Sequence, residues 1–445
     1  MLQQRTQLVK ALSNISWLLS GQVLRLGLGV VVGIWIARHL GPRDFGLFSY
    51  LQAIVTLAGA LASMGLYEVV VRNLVRSPDQ RDQTLGTAFM LQLAGGFFAA
   101  AVVNISVLMT EPNDTLAQSI AAILSITLVL RASEAVKYWF EAQVNSKYVV
   151  WAETGAVAAV AGIRLTLIFL DAGVTAFAYA ALAEATFTSA ALLIVYSRKQ
   201  NRLRDWEFGW ARARALLHDA WPLILANVAV LVYIKTDQIM LGRMIGEEAV
   251  GVYSAAVRLS ESWYFLATAV INSVFPAIIA ARAVSEQAYR DRLQALYRLM
   301  VGISFAVAVP VTFLSGWVTV LLFGPAYAAA GPVLATHIWG SLFVFLGVAS
   351  GKALILDNRS DLSLQRTLAG AFMNVVLNLL LIPSYGIMGA AYATIMSQAA
   401  AALFYDLVHN ATRDMFAMKL RAFSPLGAAR QVADLYRSLK ADRTA

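Results

Sequence analysis

"RHLGPRDFGLFSY" (Arg38–Tyr50) and "RMIGEEAVGVYSA" (Arg243–Ala255) are one turn written twice. Arg38 aligns with Arg243, Gly41 with Gly246, Gly46 with Gly251, Phe48 with Tyr253 and Ser49 with Ser254, each pair 205 positions apart. A second echo lies further along both copies. "DAGVTAFAYA" (Asp171–Ala180) matches "SYGIMGAAYA" (Ser384–Ala393), with Gly173/Gly386 and Tyr179/Tyr392 213 positions apart. Loop insertions between matching helices produce such a drift. The chain is two copies of one unit.

Composition says what the unit is made of. Of 445 residues, 59% are hydrophobic and 14% charged, where a soluble domain carries about 25% charged residues; mean hydropathy is +0.65. Turn residues and charges cut the apolar runs into twelve stretches, each near the roughly 20 residues that cross a bilayer as a helix. Their centres fall near Leu26, Leu57, Phe97, Ser125, Ala159, Thr186, Ala229, Tyr264, Ala308, Phe343, Val375 and Thr394. The first run, 15–37, is too long for a signal peptide, contains Arg25 and lacks a small-residue cleavage site. The expected fold is an all-α polytopic membrane protein with twelve transmembrane helices in two six-helix lobes. Six is an even number, so both copies enter the membrane from the same side and form a parallel repeat. The expected layout is an N-lobe over 1–200, a basic amphipathic linker over 201–215, a C-lobe over 216–410 and a cytoplasmic basic tail over 411–445. Trp206, Phe208 and Trp210, set among arginines, suit the headgroup layer.

Charge in the loops orients the chain. Even-numbered connections carry Arg72, Arg76 and Arg81, then Lys147, then Arg198, Lys199, Arg202, Arg204, Arg212 and Arg214, and later Arg282, Arg290, Arg292, Arg359 and Arg366. Odd-numbered connections are short, and Arg38, Arg43 and Arg243 are their only cations. Cytoplasmic loops collect Lys and Arg, so both termini are expected in the cytoplasm. The net charge of +9 has the same origin, and nucleic acid is not an expected partner. Without Cys there is no disulfide, thiolate metal site or cysteine nucleophile.

Charges inside the spans are the informative ones. Arg25, Arg131, Lys137, Arg164, Lys235, Arg258 and Lys352 accompany Glu134, Glu153, Glu184, Asp237 and Glu261. A cation at the bilayer centre costs roughly 2.5–3.5 kcal/mol on insertion scales, so most of the seven must face protein or water. Helical spacing puts Asn14, Gly21 and Arg25 on one face of the first helix. It aligns Asn227 with Gln238 on the seventh, flanked by Lys235 and Asp237, and places Ser254, Arg258, Glu261 and Ser262 together on the eighth. These three stripes are expected around a cavity. Structural pairing competes with that reading for Arg131/Glu134 and Arg258/Glu261, three residues apart, and for Glu153/Arg164 on one face of the fifth helix. Arg25 has no local anion, which favours a ligand-facing role.

Other motifs do not hold. "GVASGK" (Gly347–Lys352) lacks the spacing and the following hydroxyl of a phosphate loop. "GLGVVVG" (Gly27–Gly33) suits close helix packing. His39, His218, His337 and His409 are scattered, without metal-ligand spacing. No loop is large enough for a nucleotide-binding domain, which excludes transport driven by the chain's own ATP hydrolysis. No cofactor is expected.

"IARHLGPRDFGLFSYLQAI" resembles the polysaccharide flippases of the Wzx type, within the multidrug/oligosaccharidyl-lipid/polysaccharide exporter (MOP) superfamily. Ala37, Arg38, Leu40, Gly41, Pro42, Phe45 and Gly46 match that family's Ala-Arg-x-Leu-Gly-Pro-x-x-Phe-Gly pattern, and the resemblance runs over about residues 10–410. It implies a MATE-like fold in a cell inner membrane. It further implies movement of an undecaprenyl-pyrophosphate-linked oligosaccharide from the cytoplasmic to the periplasmic leaflet, in contact with membrane lipid and alongside polysaccharide polymerase machinery. Arg25, Lys235 and Arg258, with Asn14, Asn227 and Gln238, then become the candidates for the pyrophosphate and sugar cavity. Asp237 or Glu261 is the candidate for coupling to a proton or sodium ion. The alternatives are a multidrug exporter of the same superfamily and a peptidoglycan-precursor flippase. A membrane polymerase or ligase fits poorly, because it needs a large periplasmic loop.

Overall fold

The computed structural model describes residues 2–199 and 202–424; before Ser20, Trp17 is the only residue whose side chain is described. All regular structure among the described residues is helical. Among the described residues eleven stretches of helix are long and apolar enough to cross a membrane, and the twelve expected centres all fall within them. The first two centres share Ser20–Arg76, a 57-residue stretch. At 1.5 Å per residue it would run about 85 Å, more than twice a bilayer's hydrocarbon core. It is interrupted at Gly41, with φ 74° and ψ 171°, a conformation open to glycine and strained for other residues.

The chain divides into two compact units, 1–251 and 252–445. The first contains α1 (Leu2–Ser63), α2 (Leu66–Arg76), α3 (Arg81–Thr110), α4 (Thr115–Leu130), α5 (Glu134–Ala142), α6 (Lys147–Phe169), α7 (Val174–Arg198) and α8 (Trp210–Met244). It also takes the first residues of α9 (Glu247–Glu261). Its core gathers Leu66, Val70, Leu85, Val136, Phe140 and Tyr196, all buried. The segment before α8 is fastened to this unit. Trp206 Nε1 donates to Tyr196 Oη at 3.0 Å, the Gly209 N–H donates to Thr87 Oγ1 at 3.1 Å, and Arg212 donates to Thr84 Oγ1 at 2.7 Å. Phe208 and Trp210 remain exposed, as an interfacial segment requires.

The second unit continues through α10 (Tyr264–Val284), α11 (Glu286–Phe323), α12 (Ala330–His337), α13 (Gly340–Leu356), α14 (Ser360–Tyr385), α15 (Ile387–Ala402) and α16 (Arg413–Ala422). Its core collects Ile271, Leu293, Tyr297, Phe345 and Leu354, closed by Met415 and Met418 of α16. Residues 413–422 of the stretch read as tail therefore form a packed helix; residues 425–445 lie outside the described residues.

The repeated turn is repeated in geometry as well. Gly41 and Gly246 both have positive φ, 74° and 122°. Gly173 and Gly386 each stand immediately before a helix, α7 and α15. The second glycine of each copy meets the other: a Cβ on Gly46 would strike the Glu247 carbonyl, and one on Gly251 would strike that of Pro42. Each struck carbonyl lies four residues before the other copy's glycine, so the contact is symmetric about the repeat. Glycines at such a crossing let two helix backbones touch. Close packing over Gly27–Gly33 does not extend to its first two glycines: Gly27 and Gly29 meet nothing within 4 Å among the described residues, while Gly33 is buried, and Gly21 further back packs on Val150.

Candidate functional site

Charges at membrane depth converge in the first unit. The α4–α5 span is interrupted by a 3-10 turn at Arg131–Ser133, and such turns inside helices often mark functional positions. The local change leaves the Leu130 carbonyl to accept from Ser133 Oγ at 2.9 Å and Ser189 Oγ at 3.1 Å. Non-helical backbone at this depth is tolerated where it is satisfied and lines a cavity. Both conditions hold, because the turn separates two cavities that share Arg131 and Glu134 as lining residues. One, of about 260 Å³, is also bordered by Glu153, Arg164, Glu184 and Gln52. The other, of about 450 Å³, is bordered by Lys137, Glu141, Tyr67, Tyr138 and Asn227.

Helical spacing builds the polar wall. Glu134, Lys137 and Glu141 sit at i, i+3 and i+7 on one face of α5. Arg131 pairs with Glu134 at 3.1 Å, the three-residue pairing its spacing suggests. Arg164 and Glu153 border the same cavity but do not pair, contrary to the expectation from their common face. Arg164 Nη2 reaches Glu184 Oε2 on α7 at 2.8 Å. Glu153 instead bridges two cations, with Oε2 3.1 Å from Arg25 Nη1 and Oε1 2.9 Å from Lys137 Nζ. Arg25, without an anion nearby in sequence, thus gains one from α6, and its Nη1 also donates to Thr154 Oγ1 at 3.5 Å. The network holds four cations (Arg25, Arg131, Lys137, Arg164) and four carboxylates (Glu134, Glu141, Glu153, Glu184). Side chains in its four ion pairs are 17–38% exposed, so they line accessible space and are not sealed in packing.

The remaining candidates spread wider. Asn227 borders the larger cavity. Lys235 Nζ donates to Gln238 Oε1 at 3.5 Å; Asp237 and Gln238 are buried in the first unit, and the Gln238 N–H donates to Asp237 Oδ1 at 2.8 Å. Arg258 and Glu261, both half-buried, belong to the second unit. Lys352 is exposed. Asn14 lies on α1, but its side chain is outside the described residues. Sequence reasoning missed Glu141, whose i+7 relation to Glu134 was available. It also missed the second unit's buried charges. Lys419 Nζ donates to Asp406 Oδ2 and to the Ala402 carbonyl, each at 2.6 Å, with the lysine and aspartate 0% and 1% exposed. Arg366, read as a loop cation, is buried within α14 and donates to Ser350 Oγ at 2.6 Å and to the Gly347 carbonyl at 2.8 Å. Among the described residues no group of His, Asp and Glu could hold a metal ion.

This is a multi-pass membrane protein with the fold of MOP-superfamily transporters. The solved lipid II flippase MurJ superposes with a TM-score of 0.70 at 12% identity, covering 91% of this chain and 90% of that one. An inward-facing MATE multidrug transporter superposes at 0.68 with 16% identity, covering 90% and 96%. Residues 35–332 match the family described as "Polysaccharide biosynthesis protein", and the chain belongs to that family. Similar proteins include the "Probable flippase AglR" of Haloferax volcanii, 25% identical over 83% of this chain and 77% of that protein. The lipopolysaccharide biosynthesis protein WzxC of Escherichia coli is 24% identical over 82% and 73%, and the EPS I polysaccharide export inner membrane protein EpsE of Ralstonia nicotianae 22% over 70% and 75%.

Proposed function

We propose that the protein is a flippase, a transporter rather than an enzyme. It carries an undecaprenyl-pyrophosphate-linked oligosaccharide from the cytoplasmic to the periplasmic leaflet of the inner membrane by alternating access. The observation that carries this reading is the accessible ion-pair network of the first unit in a chain of the polysaccharide biosynthesis family. Phosphate oxygens exchange readily for carboxylates at Arg and Lys, and charges at membrane depth mark substrate paths. Hydroxyl-rich sugars suit a cavity bordered by Glu141, Tyr67, Tyr138 and Asn227.

In this reading Arg25 is the principal headgroup cation, with Lys235, Arg258, Asn14 and Gln238 as further polar contacts. Asp237 or Glu261 titrates with the coupling proton or sodium ion. Cation-rich connections keep both termini cytoplasmic. The repeated halves act as the lobes that rock.

The test uses a host strain lacking the gene. Lipid-linked oligosaccharide should accumulate on the cytoplasmic leaflet; the wild-type gene should restore export, and Arg25→Ala should not. Rescue by Arg25→Ala would remove that residue from the site. No accumulation, with altered sensitivity to cationic drugs, would favour an exporter, whose fold this chain shares.

A further inference from the structure

We infer that Glu153 is an internal anion seated where the substrate's phosphates bind, so that the headgroup enters by displacing it from Arg25 and Lys137. The inference rests on the flippase reading and deepens it. One carboxylate reaches two cations carried by two other helices, Oε2 to Arg25 of α1 and Oε1 to Lys137 of α5. Two oxygens of a phosphate group can make the same bridge. The neighbouring pairs, Arg131 with Glu134 and Arg164 with Glu184, match one cation to one carboxylate. The bridge has two cations on one carboxylate, flanked by Glu134 and Glu141 a turn to either side of Lys137. The bridge itself, two cations to one carboxylate, keeps an affinity for a more highly charged anion, which Glu134 is kept from cancelling by its own pairing with Arg131 and which Glu141 lowers. Glu153 also borders the 260 Å³ cavity and is 17% exposed, so an incoming anion can reach the bridge without unfolding a helix. In the absence of substrate, the carboxylate spares the protein two bare cations at membrane depth.

Calorimetric binding of inorganic pyrophosphate to the full chain in nanodiscs tests this. Glu153→Gln removes the internal competitor and should tighten binding about tenfold, the low end for a close charge pair. Glu153→Asp keeps the charge on a side chain too short to span both cations. It should tighten binding by a smaller factor, and it decides the matter alone if the Gln variant does not fold. Weaker or unchanged binding in the variants, or no pyrophosphate binding by any form, overturns the inference. Translocation is scored separately on wild type. Tighter pyrophosphate binding by the variants in a chain that moves no lipid-linked oligosaccharide would leave the anion site standing and remove the flippase reading alone.

Discussion

The two units treat charge in opposite ways. In the first, the ion pairs within the spans border cavities and their side chains are 17–38% exposed. In the second, apart from Arg258 and Glu261 near its start and the exposed Lys352, several charges are closed off in packing. Lys419 and Asp406 are 0% and 1% exposed, and Arg366 is spent on a hydroxyl and a carbonyl. A neutral ladder joins α14 to α15, in which Asn378 Nδ2 donates to Asn374 Oδ1 at 3.0 Å and Asn374 Nδ2 to Ser397 Oγ at 3.3 Å. A sealed pair can only hold structure, because breaking it strands a charge. An exposed pair can exchange partners. Both units are helical, and the placement of charge distinguishes them.

Substitution should expose the difference. Lys419→Met leaves Asp406 buried without its cation and should cost about 3–5 kcal/mol, read as a lowered thermal unfolding midpoint of the purified protein. Lys419→Met with Asp406→Leu should recover most of the loss. Lys137→Met in the first unit should cost about 1 kcal/mol or less, since Glu153 keeps Arg25 and faces a cavity. Equal losses for Lys419→Met and Lys137→Met would erase the contrast.

The repeated turn predicts the reverse, equality between halves. Gly46→Ala and Gly251→Ala each push a methyl into the other copy's backbone, and each should cost about 1–3 kcal/mol or somewhat more. Unequal penalties would show that the contact is less symmetric than its backbone geometry.

The smallest effect is in pH. Burial lowers the Lys419 ammonium from 10.5 to about 8. Between those values the unfolded chain binds the proton and the folded chain does not, so this group's contribution to stability rises as pH climbs from about 8 to 10.5. Wild type should gain stability relative to the Lys419→Met/Asp406→Leu variant over that window. A flat difference between the two would contradict the assignment.

Periodicity makes some of this readable in the sequence and hides the rest. Apolar length locates the spans, and repeated glycines locate the turns, because Gly41 and Gly246 need positive φ and Gly46 and Gly251 need the space of a missing Cβ. Arg131/Glu134 is legible because both residues lie within one turn. Glu153 is not, because helical spacing orders residues along α6 without saying that α1 and α5 lie against it. For the same reason helical spacing offers Arg164 a partner on its own helix, Glu153, and not Glu184 of α7. Lys419 reads as a tail cation until α16 is seen to bury it.

The most direct measurement reconstitutes the purified protein in liposomes carrying an undecaprenyl-pyrophosphate-linked oligosaccharide and follows how much of it becomes accessible on the opposite leaflet. The account predicts protein-dependent transfer by wild type that falls at least tenfold (about 1.4 kcal/mol) in Arg25→Ala/Lys137→Ala. Transfer no faster than in protein-free liposomes, or undiminished transfer by the double variant, would contradict it.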